Sequence, residues 1–200
     1  MKLRTAVLAL LTMALPLAAC GSGTATNPIA GLQRDPAPEV GSLSLPDASA
    51  GGADFTFTPG EGKYLIVYFG YTSCPDVCPT TLSEVKKALA RVGEQAKNIE
   101  VAMITVDPNR DSDELLTKYV QTFVKGGHAL RTDDDTTLQK VAKGFGSGYS
   151  VTTNAKGEVE VTHSGTLYLV DPAGTLILEW PFGLKAKAIA DDLVTLFGKA

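Results

Sequence analysis

The chain has 200 residues, of which 44% are hydrophobic and 20% are charged. With 18 basic and 22 acidic residues the formal net charge is -4, and no basic patch appears, which argues against a nucleic acid as partner. The length allows one domain with a substantial core, and beyond the N-terminal segment no stretch is long and apolar enough to span a membrane.

The N-terminus has the pattern of a secretory signal. Lys2 and Arg4 precede an almost wholly apolar segment, Thr5–Ala19, which is too short to span a bilayer comfortably. The segment ends in Leu-Ala-Ala-Cys20, which resembles a bacterial lipobox. We therefore predict a lipoprotein signal peptide over residues 1–19 and acylation of Cys20. An ordinary signal peptide or a short membrane anchor is the alternative, and each exports the rest of the chain to a place where cysteines can be oxidised.

Composition divides the exported part in two. Gly, Ser, Ala and Pro dominate from Gly21 to about Gly52 without periodicity, which is typical of a flexible tether. We predict a lipidated tether over residues 20–45 and a folded domain over residues 46–200. The segment Ser42–Pro46 is a candidate to pack on the edge of this domain.

Hydrophobic patterns in the domain predict the order strand, helix, strand, helix, helix, hairpin and final helix. The strands Tyr64–Phe69 and Ile99–Val106 are continuous apolar runs, as expected for strands buried on both faces. A capping box between Thr81 and Glu84 predicts the start of the first helix, and Asp111 is the predicted cap of the second. The apolar helix faces are Leu82, Val85, Leu89 and Val92; Leu115, Leu116, Tyr119, Val120 and Phe123; Leu138, Val141, Ala142 and Phe145; and Ile189, Leu193, Leu196 and Phe197.

This order of elements predicts the fold. Strand–helix–strand units imply parallel strands with right-handed crossovers, and the terminal hairpin adds an antiparallel piece. We predict an α/β fold of the thioredoxin-like sandwich type, with a central mixed β-sheet flanked by helices and an insertion before the C-terminal hairpin and helix. Cys74 and Cys78 then lie at the carboxyl end of a central strand, where open α/β sheets place their sites.

The cysteine pair lies in the segment GYTSCPDVCPTT, Gly70–Thr81, between a buried strand and a helix. Helix N-terminal N–H groups stabilise negative charge, so thiolates form more readily there. Cys74 and Cys78 could form a structural disulfide, exchange disulfides with a partner or bind a soft metal. Two thiolates and an imidazole suit Cu(I), whereas Zn²⁺ would prefer a fourth ligand, and none is evident.

Three segments, FGYTSCPDVCPTTL, ITVDPNRDS and THSGTLYLVDPAG, resemble the Sco/SenC family in this order. Members of that family are membrane-tethered copper proteins with a thioredoxin fold, associated with assembly of cytochrome c oxidase. The resemblance covers roughly Pro46 to the C-terminus. It implies that Cys74, Cys78 and His163 are the copper ligands.

Two positions beside the implied ligands depart from the family pattern. Ser73 stands where the family often has histidine, and Thr162 stands where it often has aspartate. Hydrogen bonds to ligands tune a metal site, so these changes bear on affinity and redox behaviour more than on binding itself. Asp107 and Thr162 are candidates to support the ligands in this way, although a helix cap plus a turn is the alternative for Asp107.

The two histidines of the chain receive different predictions. A lone histidine at a strand start is usually a surface or capping residue, but thioredoxin-like folds place the residue before this hairpin strand opposite the cysteines. The usual residue there is a cis-proline, which this chain lacks, so we favour His163 as a ligand. His128 follows two glycines in a predicted turn, and we expect no functional role for it.

The leading functional hypothesis is a lipid-anchored copper metallochaperone at the extracytoplasmic face of a bacterial membrane. It would carry Cu(I), Cu(II) or both from a copper donor protein to the copper-binding subunit of cytochrome c oxidase. We expect a metal-binding assembly factor rather than an enzyme. The alternative is a thiol–disulfide oxidoreductase in which Cys74 and Cys78 reduce the copper-ligand cysteines of the oxidase; a peroxidase is weaker because no clear peroxidase signature appears.

Overall fold

The computed structural model describes residues 29–198, so the predicted signal peptide and Cys20 lie outside the described residues. The strands are β1 (Ser44–Asp47), β2 (Ala53–Thr56), β3 (Tyr64–Gly70), β4 (Ile99–Thr105), β5 (His128–Leu130), β6 (Tyr149–Thr153), β7 (Val159–His163), β8 (Leu167–Val170) and β9 (Leu176–Trp180). The helices are α1 (Val77–Val92), α2 (Asp113–Phe123), α3 (Asp135–Phe145) and α4 (Ala186–Phe197). Within residues 29–198, no helix combines the length and apolar composition needed to cross a bilayer.

Seven strands form one mixed sheet in the order β2-β1-β5-β4-β3-β8-β9. The central strands β3 and β4 are parallel, with Tyr68 opposite Met103, and β8 runs antiparallel to β3. The strands β6 and β7 form a separate hairpin that precedes β8. The predicted thioredoxin-like fold with a central mixed sheet is confirmed, and the β6–β7 hairpin is the insertion before the C-terminal hairpin and helix.

Alternate side chains of β3 enter two cores on opposite faces of the sheet. Ile66 and Tyr68 pack on the side covered by α1, α2 and α4. Leu65, Val67 and Phe69 pack on the side covered by α3. A strand buried on both faces needs apolar residues at every position, which is why this run shows no alternation. The central strand is thereby fixed on both sides, and its carboxyl end is a rigid support for the loop that follows.

The first described residues, 29–41, run along the outer edge of β9 as a strap. The backbone N–H groups of Ala30 and Gly31 donate to the carboxylate of Asp192 at 2.8 and 2.9 Å, and Asp192 is only 2% exposed. The folded chain thus starts earlier than the predicted boundary at residue 46. Strand-like bridges along the edge pair Leu32 with Glu179 and Glu39 with Thr175.

Two predicted helix caps differ from the observed ones. The carboxylate of Glu84 accepts the backbone N–H of Ala186 at 2.7 Å, at the start of α4, and so caps a different helix from its own. The N-cap of α2 is Ser112, whose hydroxyl accepts a backbone N–H of the first turn. The predicted capping box at Thr81 and the predicted cap at Asp111 are therefore wrong. In both cases donors distant in sequence occupy the carboxylate: Ala186 for Glu84, and Thr72 and Thr105 for Asp111.

Candidate metal centre

The two cysteines lie at the junction between β3 and α1. The backbone N–H of Cys74 donates to the carbonyl of Tyr71 at 3.3 Å, which closes a turn directly after the strand. Cys78 is the second residue of α1, and its backbone N–H donates to the sulfur of Cys74 at 3.3 Å. The first N–H groups of a helix have no partner within it, so this contact stabilises negative charge on Cys74. Both thiols are free.

The third side chain comes from the β6–β7 hairpin. The Nε2 atom of His163, the last residue of β7, lies 3.6 Å from the sulfur of Cys78. Its Nδ1 lies 2.9 Å from the carbonyl oxygen of Ser164. A carbonyl oxygen only accepts, so Nδ1 carries the proton and Nε2 presents its lone pair on the cysteine side. The imidazole is therefore held in the tautomer that a metal ligand requires.

The structure brings the three predicted ligands together. One ligand atom from each of Cys74, Cys78 and His163 lies within 4.8 Å of the others, and this is the one such cluster among the described residues. The tyrosines on either side hold the imidazole ring. The rings of Tyr68 and Tyr71 meet it edge-on, with centroids 6.0 and 5.7 Å away. The imidazole is therefore oriented by packing before any metal arrives.

The sulfurs differ in exposure. Cys78 is 0% exposed and Cys74 is 8% exposed. Burial raises the pKa of the Cys78 thiol to about 12, although the Tyr68 hydroxyl and the backbone N–H of Tyr71 act in the opposite direction. Without a metal Cys78 is therefore a neutral thiol at neutral pH. A metal that binds it as thiolate releases its proton.

The donor set suits copper. Two soft thiolates and one imidazole nitrogen match the preference of Cu(I) and also occur in copper–thiolate sites of Cu(II). A shallow cavity of about 320 Å³ opens onto the group, and Cys74, Pro75, Val77 and His163 are among its lining residues. A metal held by three protein ligands here has a side open to solvent or to an incoming ligand. The arrangement therefore fits binding and exchange better than permanent enclosure.

A glycine that sequence reasoning missed makes room for the site. Gly70 ends β3, and a Cβ atom there would lie 2.7 Å from Cε1 of Tyr68 and 2.9 Å from Sγ of Cys78. The methyl group of Met103 would be 3.1 Å away. No side chain fits at these distances. A glycine at the end of a strand directly before a cysteine loop is the signal that could have indicated this close approach.

Asp111 is a second residue whose role the sequence did not reveal. It is 0% exposed and accepts hydrogen bonds from the backbone N–H and the hydroxyl of Thr72, at 3.0 and 2.5 Å. It also accepts the hydroxyl of Thr105 at 2.6 Å. The carboxylate thus ties the start of the cysteine loop to the end of β4. It positions the loop and does not touch the candidate ligands.

The two predicted supporting residues, Asp107 and Thr162, are placed differently relative to the ligands. Asp107 is 1% exposed and forms an ion pair with Arg110. The guanidinium of Arg110 lies 5.8 Å from the centroid of the Tyr71 ring. Asp107 is therefore connected to His163 only through the side chains of Arg110 and Tyr71. Thr162 lies at the rim of the cavity and is exposed.

His128 lies in β5 rather than in the predicted turn. Its Nδ1 atom is 2.7 Å from the carboxylate of Asp47, and its ring packs on Phe55 with centroids 4.5 Å apart. The short strand has only three residues, too few to show a hydrophobic period. His128 therefore joins sheet strands and takes no part in the cysteine cluster.

Known proteins resemble this chain in sequence and in structure. The sequence profile of the SCO1/SenC family matches residues 35–198. A protein of Stutzerimonas stutzeri, provisionally named copper-binding, is 36% identical over 117 residues, which are 58% of this chain and 57% of that relative. The chain thus aligns with just over half the length of that relative.

Solved structures of similar proteins include copper-bound ones. ScoI of Bradyrhizobium japonicum with copper bound is 28% identical with a TM-score of 0.65, over 76% of this chain and 95% of that one. Yeast Sco1 with copper bound is 27% identical with a TM-score of 0.70, over 82% and 91%. Because the profile match covers the whole domain with the cysteine pair and His163, the chain belongs to the SCO1/SenC family.

Proposed function

We propose that this protein is a copper metallochaperone that binds one copper ion through Cys74, Cys78 and His163. The observation that carries the proposal is the convergence of these three ligand atoms within 4.8 Å at the end of a rigid central strand. Copper-bound relatives of the same fold support the choice of metal. The valence in the cell is Cu(I), Cu(II) or both in turn, since the donor set serves each.

Delivery would proceed by ligand exchange at the open side of the site. Cys74 is 8% exposed and borders the cavity, whereas Cys78 is 0% exposed and lies beneath it. An incoming cysteine or histidine of a partner therefore meets the copper on the side of Cys74 and His163. Cys78 would be the last ligand to dissociate from copper. Its sulfur would take up a proton as the copper leaves, because the neutral thiol is the stable form of this buried side chain.

The anchor and the partners form part of the same proposal. Acylation of Cys20 would hold the protein at the extracytoplasmic face of a bacterial membrane. Only residues 21–28 separate Cys20 from the strap, and an extended chain of that length reaches at most about 30 Å. The copper site would then stay close to the membrane, where the copper-binding subunit of cytochrome c oxidase receives the metal and a donor protein supplies it.

Copper titration of the purified, reduced protein tests the proposal. We expect one copper per chain, and we expect Cys74→Ser, Cys78→Ser and His163→Ala each to weaken binding by more than about 100-fold, because each removes one of three ligands. His128→Gln is the matched control, since His128 lies outside the cluster. Wild-type affinity in any of the three ligand variants would refute the shared site.

Thiol–disulfide exchange is the second candidate function. Both thiols are free, and the sulfur of Cys74, which is the more exposed of the two, accepts a helix N-terminal N–H at 3.3 Å. The Cys74 thiolate would attack a partner disulfide and release one partner thiol. Cys78 would then attack the mixed disulfide and release the second, so the partner is reduced as Cys74 and Cys78 are oxidised to a disulfide.

A further inference from the structure

The hydroxyl of Tyr68 is a buried polar group without a hydrogen-bond partner. Tyr68 is 0% exposed, and no group in residues 29–198 forms a hydrogen bond with its oxygen. Leaving such a group unpaired is unfavourable by about 1–3 kcal/mol. An unpaired buried group in a native protein calls for an explanation, such as a functional role or a bound ion. The position of this hydroxyl is therefore informative.

The hydroxyl lies beside the sulfur of Cys78. Cε1 of Tyr68 and Sγ of Cys78 both lie within 3 Å of the point above Gly70 where a Cβ atom would stand, at 2.7 and 2.9 Å. Cε1 is bonded to the ring carbon that carries the hydroxyl, so the oxygen lies in the same neighbourhood.

Water cannot stabilise a negative charge on the Cys78 sulfur, because this sulfur is buried. It is 0% exposed, and Nε2 of His163, at 3.6 Å, has no proton to give because Nδ1 carries it. The backbone N–H of Tyr71 is one donor that favours the thiolate. The phenol of Tyr68 is the other, since a tyrosine hydroxyl carries its proton at neutral pH and can donate it.

We propose that the Tyr68 hydroxyl donates a hydrogen bond to the sulfur of Cys78 whenever that sulfur is a copper-bound thiolate. Tyr68 is thus a positioning residue that sets the affinity and the electronic properties of the site without touching the metal. This inference deepens the proposed copper function and rests on it.

A second buried hydroxyl extends the arrangement. Thr81 lies three residues after Cys78 on α1, is 6% exposed and likewise has no partner in normal geometry. Because residues three apart lie on the same face of a helix, its hydroxyl faces the same side of α1 as the sulfur of Cys78. The chain Thr81 to Tyr68 to Cys78 would strengthen each bond in it, because consecutive hydrogen bonds polarise one another.

Tyr68→Phe tests the inference, because it removes only the oxygen. We expect about a ten-fold or greater loss of copper affinity, the usual effect of losing a hydrogen bond to a charged group. The charge-transfer band of the Cu(II)–thiolate form should move to longer wavelength, since the sulfur lone pairs lose stabilisation. The thermal midpoint of the metal-free protein should stay the same or rise, because an unpaired group is removed.

Tyr119→Phe is the matched control. The Tyr119 hydroxyl is also buried and unpartnered, and burial followed by the charge of the cysteines raises the pKa of Tyr119, without a hydrogen bond to either sulfur. We expect wild-type copper affinity and band position in this variant. Thr81→Val should shift the band in the same direction as Tyr68→Phe but by less, because it weakens the Tyr68 hydroxyl as a donor without removing it.

Three results would overturn the inference. One is an unchanged affinity and band in Tyr68→Phe; another is an equal change in Tyr68→Phe and Tyr119→Phe, which would indicate a general effect of polarity. The third is a clear fall in the metal-free thermal midpoint of Tyr68→Phe, which would make the hydroxyl structural. If the wild-type protein binds no copper, the proposed function itself fails and the inference falls with it, whereas wild-type binding with an unaffected Tyr68→Phe overturns the inference alone.

Discussion

A Cβ atom on Gly70 would stand 2.9 Å from the sulfur of Cys78. Gly70→Ala should therefore displace this sulfur, lower copper affinity by about ten-fold or more and destabilise the fold by about 1–3 kcal/mol, the usual effect of overpacking. Copper titration and urea unfolding measure the two effects. The control is Gly148→Ala, because nothing lies within 4 Å of the added methyl there. Equal behaviour of both variants would contradict the steric argument.

Asp47 links β1 to β5 and should make the protein acid-sensitive. Burial would raise the pKa of Asp47, but hydrogen bonds from Ser49, His128 and the backbone of Ala129 outweigh it and hold the pKa below its usual 3.8. Because the pKa of Asp47 is lower in the folded than in the unfolded protein, its carboxylate contributes fully to the free energy of unfolding above the unfolded-state pKa. This contribution is lost as pH falls from about 4 downward.

Asp47→Asn tests this linkage. At neutral pH the variant should lose about 1.5–3 kcal/mol of unfolding free energy, the range for hydrogen bonds to a charged group. The difference from wild type should shrink below about pH 4, as wild-type Asp47 also becomes protonated. Denaturant unfolding at a series of pH values measures it. Asp54→Asn, an exposed position on β2, should behave like wild type, and a difference that stays constant with pH would oppose the argument.

The sequence predicted best where burial leaves a strong periodic signal. The buried strands β3 and β4 and the apolar faces of the helices were predicted, except that Leu115 of α2 is exposed, and the fold class followed from the order of the elements. The convergence of Cys74 and Cys78 followed from a strand that leads into a helix. The place of His163 opposite them depended on knowledge of the fold, since no local pattern marks it.

What the sequence did not show depends on contacts that leave no periodic pattern. The strap over residues 29–41 is held by backbone hydrogen bonds and by Asp192, and its composition reads as a linker. Asp111 looked like a helix cap because it precedes α2 by two residues, yet its partners are Thr72 and Thr105. Gly70 and the Tyr68 hydroxyl become informative only when distances are known.

The strap can be tested through Asp192, which accepts the N–H groups of Ala30 and Gly31 and the indole N–H of Trp180 at 2.8 Å. Asp192→Ala leaves these buried donors unpaired, so it should destabilise the protein by at least about 2 kcal/mol. Trp180 is the only tryptophan, so its fluorescence reports unfolding in urea. Trypsin should also cut at Arg34 of the strap faster than in wild type.

The neighbouring Asp191 supplies the control for the strap. It pairs with Lys187 one helical turn away and is 37% exposed at the side chain. Asp191→Ala should cost less than about 0.5 kcal/mol, as exposed pairs on a helix do. A loss of similar size in both variants would indicate an effect on α4 and not on the strap.

Acylation of Cys20 is tested by mass spectrometry of the mature N-terminus. The Leu-Ala-Ala-Cys20 pattern predicts cleavage before Cys20 and a lipid-modified cysteine. Cys20→Ser should release or mislocalise the protein, with an unchanged thermal midpoint because the contacts that hold the strap and the sheet are made from Ala30 onward. An intact signal peptide, or cleavage at another position, would refute the lipid anchor.

Copper delivery and thiol reduction make different predictions for His163→Ala. Disulfide exchange needs only the two sulfurs, one to attack and one to resolve, whereas copper binding needs the imidazole as third ligand. The variant should therefore lose tight copper binding and change any Cu(II)–thiolate absorption band. It should still form and reduce the Cys74–Cys78 disulfide, although the reduction potential can move.

Oxidase activity in cells that carry only His163→Ala then decides between the two functions. If delivery is the function, activity should fall at low external copper and recover in part at high copper, because mass action compensates for weak binding. If thiol reduction is the function, His163→Ala cells should assemble the oxidase almost normally at low copper, while Cys74→Ser and Cys78→Ser cells fail. His128→Gln cells should resemble wild type in both media, because His128 lies away from the cysteine cluster in β5. Normal copper affinity in purified His163→Ala would remove the histidine from the site and favour the oxidoreductase.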